Sequence, residues 1–275
     1  MSELAAQLTD SALAARYADQ EFSLDVVNDV LAVQLAHRSV RKYLDGPVTD
    51  DHLKAMIAAA QSASTTSNLQ PWSVVAIRDP ERKARLAALA AAQEFIVEAP
   101  LFLVWVADLG RMRRLAVREE RPLDGADYLE STLIAFIDTA LAAQNAVVAA
   151  ESLGLGVVFV GAIRNHPEEV AAELGLPQHA IATFGLAVGV PDPIEQAGIK
   201  PRLPQPAVLH HERYDDVSAD AHISGYDQRL NGYYARYDLG GDWSERVLKR
   251  LAGPHSLSGR HRLREALERL GLPSR

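Results

Sequence analysis

The sequence predicts an α+β fold, and three observations predict it. Four short apolar segments, at 73–78, 101–107, 157–160 and 182–190, read as strands. Segments with helix start and stop signals lie between and after them. One of these, 129–153, is much longer than the rest, with apolar residues on nearly every face across 133–150.

The elements follow in order. Residues 1–36 form an acidic, helical N-terminal extension to which no chemistry attaches. Thr49, with Asp50 and Asp51 behind it, supplies an N-cap oxygen and two acids against the positive end of a helix running to about residue 63. Asp79-Pro80-Glu81 starts the next helix, with proline where no backbone N–H is needed. The uncharged segment 101–107 is a strand buried on both faces. The helix over 129–153 stops at Gly154, suited to a left-handed C-cap. Across 133–150 its apolar residues cover nearly every face, broken by Asp138, Gln144 and Asn145. Such a helix must be buried all round, as a core helix and a subunit interface, which predicts an obligate homodimer. A short helix over 167–174 closes at Gly175, and the last third is helical over 219–237, 243–251 and 259–270. The chain therefore reads as the 1–36 extension and a single domain over 37–275, with a helical C-terminal excursion from about 205 to 275.

Composition removes several classes of function. The chain has 275 residues and a net charge of −8, which disfavours nucleic acid or an anionic membrane as partner. It contains no cysteine, so disulfides, thiolate metal sites and thiol nucleophiles are excluded. The longest uncharged apolar run, 99–107, is far short of the roughly 20 residues that span a bilayer. The N-terminus has no positive n-region, and a cytoplasmic location is expected. Residues 246–275 run against the acidic trend, with eight Lys/Arg against Glu265 and Glu268. Solvated helix faces account for such a tail, and an attraction for a dinucleotide phosphate is the sharper alternative.

Gly154-Leu155-Gly156 begins like a dinucleotide fingerprint, but a strand follows where a helix is needed. No zinc-protease spacing, nucleophile elbow or P-loop is present, and no metal site is expected. Three segments carry the remaining chemistry. His37-Arg38-Ser39-Val40-Arg41-Lys42 concentrates cations and a hydroxyl able to clamp a phosphate. The loop over 62–72 offers hydroxyls and the amides Asn68 and Gln70, whose donor and acceptor edges suit a planar heterocycle. Lys200-Pro201-Arg202-Leu203-Pro204 holds two cations on one side of a proline-stiffened segment.

In this order the segments resemble the nitroreductase superfamily, in its NADPH-dependent nitroreductase and flavin reductase branch. The resemblance rests on HRSVRKY (37–43), NLQPW (68–72), AQNAVVAAESLGLG (143–156), FVGAIRN (159–165), LPQHAIATFGLAVGVP (176–191), KPRLP (200–204) and YYAR (233–236). It implies a central antiparallel sheet surrounded by helices, with a C-terminal arm exchanged in a homodimer and FMN at the interface. By the same resemblance, His37, Arg38, Ser39 and Arg41 meet the FMN phosphate and ribityl chain. Ser64, Thr65 and Asn68 approach the phosphate or ring edge, and Gln93 the ribityl chain and ring. Val160 and Gly161 pack on the flavin face, Lys200 and Arg202 reach the phosphate or the N1/C2 carbonyl region, and Arg236 recognises the NADPH phosphate. Ala162 and Phe159 depart from the family pattern, and the insert at about 111–127 is a candidate lid.

The implied activity is ping-pong two-electron transfer from NADPH through bound FMN to small-molecule acceptors such as nitroaromatics, quinones or free flavin. No side chain is needed as catalytic acid or base. The competing possibility is a non-catalytic flavin-binding sensor or carrier. Phosphate chemistry fits the composition, since a phosphomonoester held away from water needs several cations, and Arg38, Arg41, Lys200 and Arg202 supply them.

Overall fold

The structure, a computed structural model, describes residues 3–18 and 22–275. In chain order the elements are α1 (Glu3–Tyr17), α2 (Asp29–Ala36), α3 (Asp50–Gln61), β1 (Trp72–Ile77), α4 (Pro80–Leu89) and α5 (Glu94–Glu98). There follow β2 (Leu101–Asp108), α6 (Gly110–Arg118), α7 (Leu129–Ser152), β3 (Gly156–Val160), α8 (Pro167–Leu174) and β4 (Ala180–Gly189). The last four are α9 (Asp216–Asp220), α10 (Ile223–Ala235), α11 (Trp243–Leu251) and α12 (Leu263–Arg269). The chain divides into two compact units: a helical unit of residues 1–38 and 197–257, and a sheet unit of residues 39–196 and 258–275.

The sheet unit contains four antiparallel strands in the order β1-β2-β4-β3. Every residue of β2 is buried, because the strand is central and covered on both faces. Side chains alternate across a strand, and β2 shows the consequence. Phe102, Val104 and Val106 join one apolar cluster with Leu86, Ile96, Ile163 and Val170. Leu101, Leu103 and Trp105 join another with Met56 from α3 and Ala142, Ala146 and Val147 from α7. Gly185 makes room for the Phe102 ring, which would lie 2.2 Å from a Cβ placed there. The α12 region closes a third cluster, where Ala266, Leu270 and Leu272 are buried and Leu270 and Leu272 pack with Ala107, Ala135 and Ile181.

The local signals hold at most element ends. The Thr49 side chain accepts from the His52 N–H, Asp79 accepts from the Arg82 N–H, and Gly154 and Gly175 adopt φ of +79° and +63°. Within the single chain, helix α7 is not buried on every side. Ala135, Asp138, Ala142, Ala146 and Ala150 are buried, but Leu133, Ile137 and Leu141 on another face are 44–54% exposed. The expected helix over 219–237 is interrupted between α9 and α10. Gly259 is left-handed with φ +88°, and a 3-10 turn precedes α12.

The helical unit has a smaller core, mainly aromatic, in which Tyr226, Leu230, Tyr233 and Tyr234 pack with Leu203, Tyr237 and Trp243. Its polar contacts are correspondingly prominent, and they converge on residues 198–202.

Candidate functional site

Residues 198–202 follow no regular element, so their main-chain groups need partners from elsewhere. Tyrosines supply most of these. The Tyr233 hydroxyl donates to the Gly198 carbonyl at 3.0 Å, and the Gly198 N–H donates to the Tyr237 hydroxyl at 2.8 Å. The buried Tyr226 hydroxyl donates to the Pro201 carbonyl at 3.0 Å. Burial raises the Tyr226 and Tyr233 pKa values, that of Tyr233 to about 12, so both phenols stay protonated as donors across the ordinary pH range.

This frame leaves both cations of the segment available. Lys200 is exposed, with its ammonium 5.2 Å from the Tyr234 ring centroid. Arg202 is exposed, and its guanidinium donates only to the carbonyls of Lys200 and Pro201. Neither has a carboxylate partner among the described residues.

The same unit carries the other basic segment. His37 is the C-cap of α2, with its N–H on the Gln34 carbonyl at 3.3 Å, and His37 and Arg38 are half-buried. Arg16, in the last turn of α1, joins the two segments. Its guanidinium donates to the carbonyls of Leu35 (3.0 Å), His37 (2.6 Å) and Lys200 (3.2 Å). Arg236 caps the C-terminus of α10 and is exposed. It lines a cavity of about 890 Å³ together with Arg229, Tyr233, Pro201 and Ala14. In the sequence Arg16 shows only as a cation within the acidic N-terminal extension.

The remaining candidates lie in the sheet unit. Ser39 bridges Val157, and the Val40 N–H donates to the Val157 carbonyl at 2.9 Å. Gly156 is required for this approach, because a Cβ there would lie 2.7 Å from Val40. The Arg41 N–H donates to the Glu195 carboxylate at 3.0 Å, and its guanidinium stands 6.0 Å from the Phe95 ring centroid.

Ser67, Asn68 and Gln70 all have positive φ, between 49° and 57°. Strain of this kind persists only where surrounding contacts over-determine the backbone, and Asp138 of α7 provides them. This carboxylate is 1% exposed and accepts from the Thr65 hydroxyl (2.5 Å), the Thr66 N–H (3.0 Å) and the Thr66 hydroxyl (3.0 Å). Thr65 also accepts from the Gln70 N–H at 3.0 Å, so its hydroxyl serves the loop itself. Ser64 and Asn68 are exposed, and the Asn68 side-chain oxygen accepts from the Gln70 amide at 3.2 Å. Arg111 reaches the same loop by donating to the Gln70 carbonyl at 3.2 Å. The sequence showed Asp138 only as an interruption of an apolar helix, and gave no signal for Arg111.

Gln93 is half-buried at the start of α5, after Ala91 and Ala92, both of positive φ. Val160 is 3% exposed and packs within the sheet core. A Cβ on Gly161 would meet the Arg164 guanidinium at 3.5 Å, an ordinary contact, so packing within the chain does not demand glycine there. The candidates therefore divide: His37, Arg38, Lys200, Arg202 and Arg236 stand in the helical unit, and the others in the sheet unit. The basic tail divides too. Arg246 lies over the Tyr234 ring at 3.9 Å in the helical unit, while Arg269 pairs with Glu168 and Glu265 in the sheet unit. Among the described residues no group of three His, Asp or Glu is placed to hold a metal.

Residues 35–190 match the model of the nitroreductase family, and residues 200–275 match that family's C-terminal domain. The NADPH-flavin oxidoreductase of Vibrio harveyi is 38% identical over 237 residues, covering 84% of this chain and 95% of that protein. The FMN reductase (NADPH) of Bacillus subtilis is 37% identical over 230 residues, covering 81% and 91%. The solved structure of B. megaterium NfrA2 superposes with a TM-score of 0.84 at 37% identity, covering 90% and 98%. The chain is an oxidoreductase of the nitroreductase family.

Proposed function

We propose that the chain binds FMN and uses it to oxidise NADPH and reduce small-molecule acceptors in a ping-pong cycle. One observation carries this reading: two basic segments that follow the family pattern, 37–38 and 200–202, share a compact unit and bond to one guanidinium. The donor set fits a phosphomonoester. Lys200 and Arg202 are exposed cations without carboxylate partners among the described residues, and arginine's planar fork suits phosphate oxygens.

In this proposal His37, Arg38, Ser39, Arg41, Lys200 and Arg202 hold the phosphate end. Ser64 and Asn68, on the loop tied down by Asp138, address the ring edge, and Gln93 the ribityl chain. Thr65 contributes by fixing that loop. Gly161 and the backbone of Val160 leave room for the ring face. FMN held there would supply the two-electron chemistry between NADPH and a nitroaromatic, quinone or free flavin. The protein's share is orientation and charge: cations near the N1/C2 region favour the negatively charged reduced ring. Arg236, whose guanidinium has no polar partner among the described residues, recognises the NADPH 2′-phosphate.

A homodimer with an exchanged C-terminal arm belongs to the same proposal. The exposed row Leu133, Ile137 and Leu141 offers an apolar surface for it. Residues 270–275 bond within their own chain, through the Leu270 carbonyl to His179 and through Arg275 to Asp127 and Leu129, which leaves the helical excursion as the exchanged part.

The test is direct. The purified protein should be yellow or take up added FMN, bleach with NADPH, and recover its colour on adding menadione or nitrofurazone. Arg236→Ala should raise the KM for NADPH with FMN affinity unchanged. A protein that stays colourless in excess FMN would overturn the reading.

A further inference from the structure

We infer that Arg16 is a positioning residue for the phosphate end of FMN, which makes the N-terminal helix part of the cofactor site. The inference rests on the FMN reading above. Arg16 lies outside both segments that match the family, 35–190 and 200–275, and nothing in those matches calls for it.

The geometry points to this role. Arg16 is 8% exposed, a rare condition for an arginine, which is almost never buried without partners. Its guanidinium reaches main-chain carbonyls on both basic segments. One terminal nitrogen donates to Leu35 and His37, at 3.0 and 2.6 Å, and the other to Lys200 at 3.2 Å. Its own carbonyl accepts from the Arg202 N–H at 2.7 Å. These contacts to His37, Lys200 and Arg202 are all to main chain, so Arg16 sets where the backbones of these residues stand. Residues 37–38 and 200–202 are far apart in sequence, and Arg16 spans them with a rigid fork. A lysine has a single nitrogen and cannot reproduce that span with the same geometry. The tyrosine frame holds 198–201 from α10 and from Tyr237 just beyond it, but among these residues Arg16 alone also bonds to His37.

The experiment measures dissociation constants for FMN and for riboflavin, which lacks the phosphate, by flavin fluorescence quenching. Wild type, Arg16→Met and Arg16→Lys are compared, with circular dichroism to register folding. Arg16→Met should weaken FMN about tenfold, on the order of one lost charge-assisted hydrogen bond, and leave riboflavin within twofold. Arg16→Lys, which keeps the charge but loses the fork, should fall between Met and wild type. FMN affinity within twofold of wild type in a folded Arg16→Met protein overturns the inference. So does an equal weakening of FMN and riboflavin, which marks a general structural role. Should Arg16→Met not fold, Arg16→Lys decides: an unchanged FMN-to-riboflavin ratio overturns the inference, and a lowered ratio of affinities supports it. A wild-type protein that binds neither flavin overturns the FMN reading itself, an outcome separate from both.

Discussion

The two units of this molecule position their candidate residues by different forces. In the sheet unit, apolar burial does most of the work, with β2 covered on both faces and Phe102, Leu103 and Trp105 fully buried. In the helical unit, a few tyrosine hydroxyls and one arginine fix a segment that has no regular structure. Burial is non-directional and tolerates small displacements of chain, whereas hydrogen bonds specify where individual carbonyls stand. The contrast teaches that a cation-bearing loop can be located accurately with little core beneath it, provided its main-chain groups are bonded one by one.

Mutations can break or sharpen that contrast, and the largest effect belongs to the sheet unit. Phe102→Ala should cost about 3–5 kcal/mol, the usual range for emptying a buried aromatic site. Urea denaturation followed by circular dichroism would measure it, and a loss below about 1 kcal/mol would show that the ring over Gly185 is not central to that core.

Asp138 tests a place where the sheet unit holds a loop by directed side-chain bonds. Asp138→Ala should cost about 1–3 kcal/mol, because the donors of Thr65 and Thr66 lose their buried acceptor. It should also release the strain at residues 67–70 and raise proteolytic sensitivity there. A thermal melt and limited proteolysis read both effects. An unaltered cleavage pattern would mean that the loop is held by Arg111 and its own amides.

The smallest effect is a pH dependence confined to the helical unit. Tyr226 and Tyr233 have folded-state pKa values raised above the ordinary 10.0 by burial, that of Tyr233 to about 12. A raised pKa favours the protonated, folded form. The contribution is therefore complete below about pH 10 and is lost as pH rises through about 12. Tyrosinate absorbance and near-ultraviolet circular dichroism should change together in that window. Titration of these phenols at pH 10 with no structural change would refute the tyrosine frame.

The parts of the fold and site that were legible in the sequence are those decided within a few residues. Thr49 and Asp79 cap their helices, Gly154 and Gly175 take left-handed conformations, and the four strands fall where apolar segments meet turn residues. The basic segments were equally visible as departures from an acidic background. What stayed hidden joins residues distant along the chain. Asp138 meets Thr65 across 73 positions and Arg16 meets Lys200 across 184, and no local pattern marks either pair. The exposed face of α7 is a related case, since apolar residues on every side reveal a need for burial but not what does the burying.

The sequence by itself determined the strands, the helix ends, the absence of thiol chemistry and the identity of the cations, because each is a property of adjacent residues or of composition. Only the tertiary structure decided which polar groups those elements share: the acid beneath the strained loop, the tyrosines under 198–201, and the arginine between two basic segments. The physical reason is that a hydrogen bond depends on distance and angle in space, and neither is encoded until the chain has closed upon itself.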